Sequence, residues 1–378
     1  MKKILKLVLF LFFIFVIITG PSEERKKTFF DGPCSYAEPS PSPSPVPAPV
    51  KEPVVYSRIE LEYEGSPQVL HVLELDLSNP DLTVLPVLAR EQVFGFELLS
   101  EINKRHEADA TVNAGFNFAY GQPSGLVIQN GKILSSVRGY GRILLIDGQK
   151  AWFSFPPFMV SLKAGDIMIP VDSVNPYPHE KGILVFTREY GPTNRINGKH
   201  TVCVVRDNIV ESVQIASDET DIPDDGFLIV DLRLEGSPLS GLKSGERVEI
   251  VFQEQAEQGY QCSGSLVENG INVAKDADEW AGDLRIATPR TAVGIKDEST
   301  LVFLVVDGRQ PGYSVGVTGK QLADILISLG VTEASMLDGG ASSELIYNNE
   351  IVNRPSAGKE RLLASAFIIK VSGERQDR

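Results

Sequence analysis

The sequence predicts an α+β fold with a large mixed β-sheet core and few helices. Short apolar segments of strand length recur along most of the chain, whereas helical periodicity is confined to two stretches. Near the C-terminus, a strand, a helix and a second strand follow one another as in a βαβ unit. Of the 378 residues 42% are hydrophobic, which is enough to build the core of one large domain.

Residues 1–20 predict a signal peptide or a membrane anchor. A basic start precedes an unbroken apolar run from Leu7 to Ile18, which has the length of a signal peptide. No small-residue cleavage site follows at the usual distance, so the sequence favours an anchor and leaves the cleaved alternative open. We therefore expect N-terminal contact with a membrane and an extracellular or cell-surface location.

Residues 21–53 predict a linker rich in Pro and Ser. Its last part, PSPSPVPAPVKEP, cannot pack into a core and favours an extended polyproline form. The folded domain is expected to cover residues 54–372, and a polar tail is expected at 373–378. Such a linker would hold the domain away from a membrane or carry it through a cell wall.

The first part of the domain predicts three strands, at Tyr56 to Glu62, Val69 to Leu77 and Leu82 to Val87, followed by a helix at Phe94 to Arg105. The pair Asn130-Gly131 predicts a tight hairpin turn. Later segments are also rich in strand patterns, and the predicted strands are Ile183 to Thr187, Thr201 to Val205, Gly226 to Val230, Arg247 to Phe252 and Leu363 to Val371.

The C-terminal βαβ unit is the most informative part of the chain. Leu301 to Val306 is continuously apolar, as in a strand covered on both faces. Thr318 and Gln321 have the spacing of a capping box at the start of a helix, and Gly330 lies where a left-handed C-cap is expected. A second strand is predicted at Ala334 to Leu337.

Each strand of this unit ends in an Asp-Gly pair, at Asp307 and at Asp338. The two strands of a βαβ unit are parallel neighbours, so both aspartates are expected at the same edge of the sheet. Ligands of open α/β sheets bind outside this edge. One Asp-Gly pair is often only a turn, but two at matched strand ends favour a functional site.

The second pair continues as Gly340-Ala341-Ser342-Ser343, which provides small residues, free amides and two hydroxyl groups. Such groups commonly form an anion-binding cradle in proteins. Asp338 is the first candidate for a catalytic carboxylate and Asp307 the second. Glu344 is a third candidate, although we expect it on a solvated helix turn.

The charge of the chain limits its partners. The formal net charge is −14, which argues against binding to nucleic acid because basic surface supplies that affinity. An anionic ligand would therefore need a local cluster of arginines.

Cysteine and histidine usage gives no sign of a metal or a cofactor. The three cysteines have no zinc-binding spacing, and the four histidines form no metal-binding doublet. A disulfide between Cys203 and Cys262 remains open. There is neither GxGxxG nor a P-loop lysine, so nucleotide binding is not predicted.

Five sequence blocks occur in a characteristic order, and they are TVNAGFNFAYGQPSGLVIQNGKIL, PRTAVGI, LVFLVVDGR, MLDGGASSELI and IVNRPS. With these blocks the chain resembles the phosphodiester glycosidase family from about Val54 to Val371. The resemblance implies a hydrolase that cleaves the bond between a sugar anomeric carbon and a phosphate oxygen of a sugar-1-phosphodiester.

The reaction implied by this resemblance suggests roles for particular residues. Phosphate leaves without much protonation, so stabilisation of its charge matters more than a strong general acid. Asp338 and Asp307 are the expected catalytic residues. The expected substrate- and phosphate-binding residues are Arg290, Arg309, Arg361, Asn113, Gly115, Gly339, Gly340, Ser342 and Ser343.

An alternative from another functional class is a noncatalytic module that binds an anionic cell-wall or capsular polysaccharide. The predicted tether suits this alternative equally well. The combination of Asp307, Arg309, Asp338 and the two serines favours an enzyme, because binding alone does not need a positioned acid at a strand end.

Overall fold

The computed structural model describes residues 52–136, 139–179, 181–233 and 235–372. The predicted signal or anchor at 1–20, the linker at 21–53 except its last two residues, and the tail at 373–378 lie outside the described residues.

The described residues contain two α-helices, α1 (Leu99–His106) and α2 (Gly319–Ser328). The strands of the first half of the chain are β1 (Val54–Tyr63), β2 (Ser66–Asp76), β3 (Leu82–Leu88), β4 (Glu97–Leu98), β5 (Ala110–Asn113), β6 (Val127–Gln129), β7 (Lys132–Ser135), β8 (Ile143–Asp147), β9 (Lys150–Ser154), β10 (Val160–Ala164), β11 (Ile167–Val171), β12 (Ser173–Val174) and β13 (Ile183–Thr187).

The strands of the second half are β14 (His200–Arg206), β15 (Ile209–Ala216), β16 (Gly226–Asp231), β17 (Glu249–Phe252), β18 (Gln258–Gln261), β19 (Ser265–Glu268), β20 (Ile271–Asn272), β21 (Ala277–Asp278), β22 (Gly282–Asp283), β23 (Arg290–Asp297), β24 (Thr300–Val306), β25 (Glu333–Met336), β26 (Leu345–Tyr347), β27 (Glu350–Ile351), β28 (Leu362–Leu363) and β29 (Ser365–Val371). The predicted α+β class, rich in sheet and poor in helix, is confirmed.

The largest sheet has seven strands in the order β1-β2-β24-β23-β25-β19-β20, and all of its neighbouring pairs are antiparallel. A second sheet has five strands in the order β27-β26-β5-β29-β3. The end of β5 and the chain before β26 lie next to the residue that follows β25. Two further five-stranded sheets, β7-β6-β18-β8-β9 and β12-β13-β16-β14-β15, share a second apolar core.

The C-terminal βαβ unit differs from the prediction in one respect. Strands β24 and β25 run in the same direction, but they are not neighbours, because β23 lies between them and pairs antiparallel with both. Strand β23 directly precedes β24 in the chain and pairs with it as a hairpin, and the predicted βαβ unit did not include this strand. Both strands nevertheless end at the same edge of the sheet.

Strand β24 is buried along its whole length, as its continuous apolar sequence predicts. Leu301, Phe303 and Val305 pack into the core on one face of the sheet. Val302, Leu304 and Val306 pack on the other face, in the cluster that also contains the apolar side of α2. Alternate side chains of a strand point to opposite faces, so burial on both sides requires this apolar run.

Helix α2 begins and ends where the sequence predicts. The hydroxyl of Thr318 accepts from the amide of Gln321 at 3.2 Å, and the Gln321 side chain accepts from the amide of Thr318 at 3.0 Å. Gly330 follows the helix with φ of 84°, in the left-handed region. This reciprocal cap satisfies two amides that otherwise lack partners.

Helix α1 starts later than the prediction of Phe94 to Arg105, at Leu99. Gly95 has φ of 130°, which is outside the helical region, and Glu97–Leu98 forms the short strand β4 against β28. Phe94 instead packs against Tyr190. Tertiary contacts therefore override the helical periodicity of these five residues.

The two cysteines within the described residues, Cys203 and Cys262, are free and buried. The disulfide left open by the sequence is not formed, since Cys203 lies in the second apolar core and Cys262 in the first. In the described part of the chain, neither helix has the length and apolar character needed to cross a membrane.

Candidate active site

The edge at which β24 and β25 end is also the edge at which β23 begins. Arg290, the first residue of β23, pairs with Val306, the last residue of β24. Ala292 pairs with Met336, the last residue of β25. The antiparallel insertion of β23 therefore adds an arginine to the edge from which Asp307 and Asp338 leave the sheet.

A cleft of about 500 Å³ opens at this edge. Six of the eleven predicted site residues line it, and they are Asp338, Arg290, Arg309, Arg361, Gly339 and Gly340. The remaining wall is formed by Phe116, Asn117, Trp280, Ala281, Asp283, Ile286 and Thr288. The structure thus brings the three arginines and one of the two predicted carboxylates to one cleft.

Asp338 lies half-buried in this cleft, directly after β25. Burial raises the pKa of its carboxyl group, because the charged form loses water. A hydrogen bond from the Ser342 hydroxyl, the charge of Arg361 and the amide of Gly339 act in the opposite direction. The Ser342 hydroxyl and the Gly339 amide therefore orient the carboxyl group, and Arg361 is the nearby charge that favours its ionised form.

Arg290 is a buried cation in the wall of the cleft. Its guanidinium donates to the carbonyl oxygens of Val317 at 3.2 Å and of Ile286 at 3.0 Å. Among the described residues no carboxylate forms an ion pair with it. Burial lowers the pKa of this guanidinium, and the positive charge of Arg309 lowers it further.

Arg309 and Arg361 line the same cleft with exposed side chains. Within the described part of the chain neither has an ion-pair partner. The guanidinium of Arg309 lies beside the turn formed by Gly339 and Gly340. A Cβ placed on Gly340 would be 3.2 Å from the Nη2 atom of Arg309. The cleft therefore carries three guanidinium groups that form no ion pair with a carboxylate of the described residues.

The turn after Asp338 requires its glycines. Gly340 has φ of 65°, in the left-handed region. A Cβ on Gly339 would be 3.0 Å from the carbonyl oxygen of Pro289, and the amide of Gly340 donates to that same oxygen at 2.8 Å. Close approach to the start of β23 explains why small residues follow Asp338.

The predicted anion cradle at Gly340 to Ser343 is corrected by the structure. The amide of Gly340 is used by Pro289, and the amide of Ser343 donates to Gly340 at 3.3 Å. The Ser343 hydroxyl accepts a hydrogen bond from the Thr291 hydroxyl at 3.1 Å, and the Ser342 hydroxyl donates one to the carboxyl group of Asp338. Both serines are buried, so they hold the turn together and do not face the cleft.

Asn113 and Gly115 also act through other groups. Asn113 is buried at the end of β5 and donates to the carbonyl oxygen of Asp338 at 2.8 Å. The amide of Gly115 donates to the hydroxyl of Tyr260 at 3.0 Å, and a Cβ there would be 2.7 Å from the Tyr260 ring. Asn113 thus positions the turn of Asp338, Gly115 packs against Tyr260, and neither residue lines the cleft.

The prediction that Asp307 is a second catalytic carboxylate is not supported by the geometry. Asp307 is 1% exposed. Its carboxylate oxygens form hydrogen bonds with His71 Nε2 at 3.1 Å, the Tyr313 hydroxyl at 3.0 Å and Asn353 Nδ2 at 3.1 Å. The amide of Arg354 donates to it as well. Asp307 is thus not among the residues that line the cleft and joins three parts of the chain, which sequence position alone could not reveal.

Glu344 is buried, not solvated as the sequence suggested. It is 0% exposed, and its Oε1 accepts from the amide of Arg361 at 2.6 Å. Its Oε2 has no hydrogen-bond partner among the described residues. Burial raises the pKa of Glu344 to about 8.

Trp280, Phe116 and Asp283 line the cleft but were not predicted from the sequence. The rings of Phe116 and Trp280 lie 5.8 Å apart, and Trp280 follows β21 in the short hairpin that forms one wall. Trp280 is one of only two tryptophans and lies in an acidic stretch, which is the signal that could have marked it. Arg285 binds both oxygens of Asp283, at 2.9 and 2.8 Å, and lowers its pKa to about 2.

Within residues 52–372, apart from the undescribed positions, no three His, Cys, Asp or Glu side chains lie together as a metal site requires.

Comparison with protein families supports the resemblance found in the sequence. The family model described as phosphodiester glycosidase matches residues 195–370, the stretch that contains Arg290, Arg309, Asp338 and Arg361. The match confirms this resemblance and supports a glycosidase-like function for that part of the chain.

A curated relative is the SPbeta prophage-derived uncharacterized protein YomE of Bacillus subtilis (strain 168). It is 30% identical over 129 residues, which are 34% of this chain and 20% of that protein. The matched part thus spans about a fifth of the length of this relative.

Solved structures share the fold. A hypothetical protein from Synechocystis has a TM-score of 0.69 and 19% identity, over 84% of this chain and 62% of that one. A candidate exported protein from Burkholderia pseudomallei K96243 has a TM-score of 0.63 and 20% identity, over 81% and 74%. The catalytic domain of the zebrafish N-acetylglucosamine-1-phosphodiester alpha-N-acetylglucosaminidase reaches only 0.44 with 16% identity over 85% of each chain, a score from which no shared fold is inferred.

Proposed function

We propose that this chain, whose residues 195–370 match the phosphodiester glycosidase family, is an exported, surface-tethered hydrolase of sugar-1-phosphodiesters. The bond that breaks joins the anomeric carbon of a sugar to a phosphate oxygen. The products are a free reducing sugar and a phosphate monoester.

The observation that carries the proposal is the buried guanidinium of Arg290, which has no carboxylate partner among the described residues and lies in the cleft that also holds Asp338. A buried charge without a counter-ion costs free energy, and an anionic ligand would remove that cost. Burial and the charge of Arg309 both lower the pKa of Arg290. A negative group between the two cations would therefore offset the desolvation of Arg290 and also the repulsion between Arg290 and Arg309.

The three arginines suit a phosphodiester. A guanidinium offers paired donors that match two phosphate oxygens, and such charge-assisted hydrogen bonds are about twice as strong as neutral ones. Arg290 would hold the phosphate from the floor of the cleft, and Arg309 and Arg361 would hold it from the rim. As the glycosidic bond breaks, the leaving phosphate gains charge, so these contacts strengthen in the transition state.

Asp338 is the carboxylate available to the anomeric carbon. The other carboxylate that lines the cleft, Asp283, is bound on both oxygens by Arg285. Asp338 would act on the face opposite the phosphate, either by attacking the carbon or by activating a water molecule. The hydroxyl of Ser342 and the amide of Gly339 would orient its carboxyl group for this role.

The aromatic wall would hold the sugar. Trp280 and Phe116 lie on the side of the cleft formed by the β21–β22 hairpin and by the loop after β5. Aromatic rings pack well against the apolar face of a sugar ring while hydroxyl groups reach polar neighbours such as Asn117. The sugar is thereby placed between this wall and Asp338.

Export and tethering are supported by the N-terminal sequence, with its apolar run and its proline-rich stretch. The structural similarity to a candidate exported protein from Burkholderia pseudomallei agrees with this location.

A noncatalytic module that binds an anionic cell-wall or capsular polysaccharide is the alternative. The unpaired arginines suit it, because any anionic glycan would neutralise them. Asp338 is the feature against it, since a carboxyl group held in the middle of an anion site repels the ligand unless it takes part in chemistry.

Hydrolysis of a substrate panel tests the proposal. The purified full-length protein is incubated with sugar-1-phosphodiesters that differ in sugar and in leaving group, and both reducing sugar and phosphomonoester are measured. We expect the two products to appear in equal amounts, and Asp338→Asn to abolish both. Tight binding of anionic glycans without any product would instead favour the noncatalytic alternative.

A further inference from the structure

We infer a second carbohydrate-binding surface beside the cleft, an aromatic platform formed by Phe118, Tyr120 and Tyr177 that takes a neutral sugar ring. The inference rests on the proposed function and deepens it. It makes the substrate an extended glycan whose phosphodiester end lies in the cleft and whose further sugars lie on the platform.

The three rings of the aromatic platform contact one another at the surface. The ring centres of Phe118 and Tyr120 lie 5.8 Å apart with 18° between their planes, and those of Tyr120 and Tyr177 lie 5.3 Å apart at 89°. Phe118 is 38% exposed and Tyr177 is 42% exposed. Grouped aromatic rings that remain in contact with water mark a surface that gains free energy when a ligand covers it.

A further ring supports the platform. The partly buried Phe94 packs against both tyrosines, with its ring centre 5.9 Å from Tyr120 and 5.9 Å from Tyr177. Phe94 also meets the fully buried Tyr190 at 5.1 Å, and the guanidinium of Arg195 lies 4.8 Å from the Phe94 ring. The exposed rings are therefore anchored to the core.

Hydrogen bonds hold the two chain segments of the platform together. The hydroxyl of Tyr120 donates to the carbonyl oxygen of Tyr177. Gln122, from the same loop as Tyr120, donates through its side chain to the carbonyl oxygen of Asn175 at 2.6 Å. Because the rings are preformed, little conformational entropy is lost when a ligand binds.

The platform continues directly from the cleft. Phe116 and Asn117 line the cleft, and Phe118 is the next residue of the chain. Neighbouring Cα atoms are about 3.8 Å apart, so the platform begins at the rim of the cleft. The side chain of Asn117 donates to the carbonyl oxygen of Phe118 at 2.8 Å, which fixes this junction.

Charge separates the two surfaces. The cleft carries Arg290, Arg309 and Arg361, whereas the three rings of the platform carry no charge. A ligand with a phosphate at one end and uncharged sugar rings beyond it matches both. A peptide or a lipid surface could cover the rings without contacting the arginines of the cleft. Binding of neutral oligosaccharides separates a glycan from these two occupants.

Binding of phosphate-free sugars tests the platform independently of hydrolysis. Cellotetraose, maltotetraose and chitotetraose are titrated calorimetrically into the full-length protein, into Phe118→Ala and into Tyr177→Ala. We expect at least one tetrasaccharide to bind, and its dissociation constant to rise about three- to tenfold for each ring removed. Phe155→Ala, which removes another exposed phenyl ring, should bind like the parent.

Two further variants make the result specific. Phe118→Trp keeps an aromatic surface and should retain binding, and its melting temperature and that of Phe118→Ala report whether the loop still folds. Arg247→Lys, at an exposed arginine paired with Glu249, should leave the affinity for these neutral sugars unchanged. If none of the three tetrasaccharides binds the parent protein, or if both alanine variants bind as the parent does, the platform does not hold a glycan.

Hydrolysis distinguishes the platform from the proposed function. With a methyl phosphodiester of a single sugar, Phe118→Ala should turn over like the parent, and with a phosphodiester extended by a tetrasaccharide kcat/KM should fall about three- to tenfold. Glycan binding that depends on Phe118, without hydrolysis of any phosphodiester, would overturn the proposed function and leave the platform in place. Equal kcat/KM of parent and variant on the extended phosphodiester would overturn the platform.

Discussion

The side-chain amide of Asn113 donates a hydrogen bond to the main-chain carbonyl of Asp338 at 2.8 Å. The carbonyl of the same side chain accepts from the Thr291 hydroxyl at 2.9 Å and from the amide of Glu344 at 3.1 Å. One buried asparagine thus joins β5, β23 and the chain before β26 around the candidate carboxylate. The geometry of the site depends on contacts between segments that are far apart in the sequence.

Asn113→Ala should separate positioning from binding. We expect kcat for the phosphodiester to fall at least tenfold and the inhibition constant of inorganic phosphate to stay unchanged, because the arginines remain. Loss of these hydrogen bonds should lower the free energy of unfolding by about 1–3 kcal/mol. Asn103→Ala, at a buried asparagine bonded to Thr111 and Asn349, should lose stability without losing turnover.

Asp338→Asn should lower kcat at least about a hundredfold, the effect expected for a positioned acid, base or nucleophile. The amide keeps the shape of the carboxyl group, so the melting temperature should remain near that of the parent. Asp276→Asn, at an exposed aspartate paired with Lys320, is the matched control. A folded Asp338→Asn variant with normal turnover would remove Asp338 from the mechanism.

Arg290→Lys and Arg309→Lys should each weaken transition-state stabilisation by about 1.5–3 kcal/mol, measured from kcat/KM. Lysine keeps the charge but loses the planar pair of donors that matches phosphate oxygens. Arg247→Lys, at an exposed arginine paired with Glu249, should show no change. If both cleft variants hydrolyse the diester as the parent does, and phosphate does not compete, these arginines do not hold the leaving group.

Asp307→Asn should behave as a structural change, contrary to the role that the sequence suggested. The variant places an amide donor opposite donors from Asn353 and Arg354, which should lower the free energy of unfolding by about 2–3 kcal/mol. Turnover per folded molecule should stay within a few-fold of the parent. Denaturant titration and active-site titration together measure both effects, and a stable but inactive variant would return Asp307 to the catalytic group.

Glu344→Gln should change how stability depends on pH. The pKa of Glu344 in the folded state is about 8, above its ordinary value of 4.5, so the folded chain keeps a proton that the unfolded chain releases between these values. The free energy of unfolding therefore falls as pH rises from about 4.5 to about 8. Glutamine cannot ionise and should remove this fall.

Denaturant titrations at pH 5 and pH 9 measure this effect. The difference between Glu344→Gln and the parent should be small at pH 5 and should favour the variant at pH 9 by an amount on the order of a few kcal/mol. Glu333→Gln, at a partly exposed glutamate paired with Arg142, serves as the control. Parallel pH profiles of parent and Glu344→Gln would show that Glu344 titrates near its ordinary pKa.

Local chemistry was enough to predict several elements of this fold. The reciprocal cap of Thr318 and Gln321 involves residues three positions apart, and burial of β24 on both faces follows from its unbroken apolar sequence. The start of α1 was not predictable in this way. Phe94 packs with Tyr190, and that contact lies nearly a hundred residues away in the chain.

The roles of the two strand-end aspartates show where sequence reasoning stops. Asp307 and Asp338 have the same local pattern, and both leave the same sheet edge. His71, Tyr313 and Asn353 surround Asp307, whereas Asp338 lies in a cleft with three arginines. Only the side chains that other segments bring to each carboxyl group decide which of the two is open to a ligand.

By itself the sequence determined the strand-rich fold class, the C-terminal strand–helix–strand pattern and the identity of the charged groups at the sheet edge, because periodicity, capping and turn chemistry act over a few residues. The tertiary structure alone decided that β23 lies between β24 and β25, that Arg290 is buried without a carboxylate partner among the described residues, and that Trp280 lines the cleft of Asp338. These features depend on pairing and packing between distant segments, and the free energy of such contacts is not encoded in any local pattern.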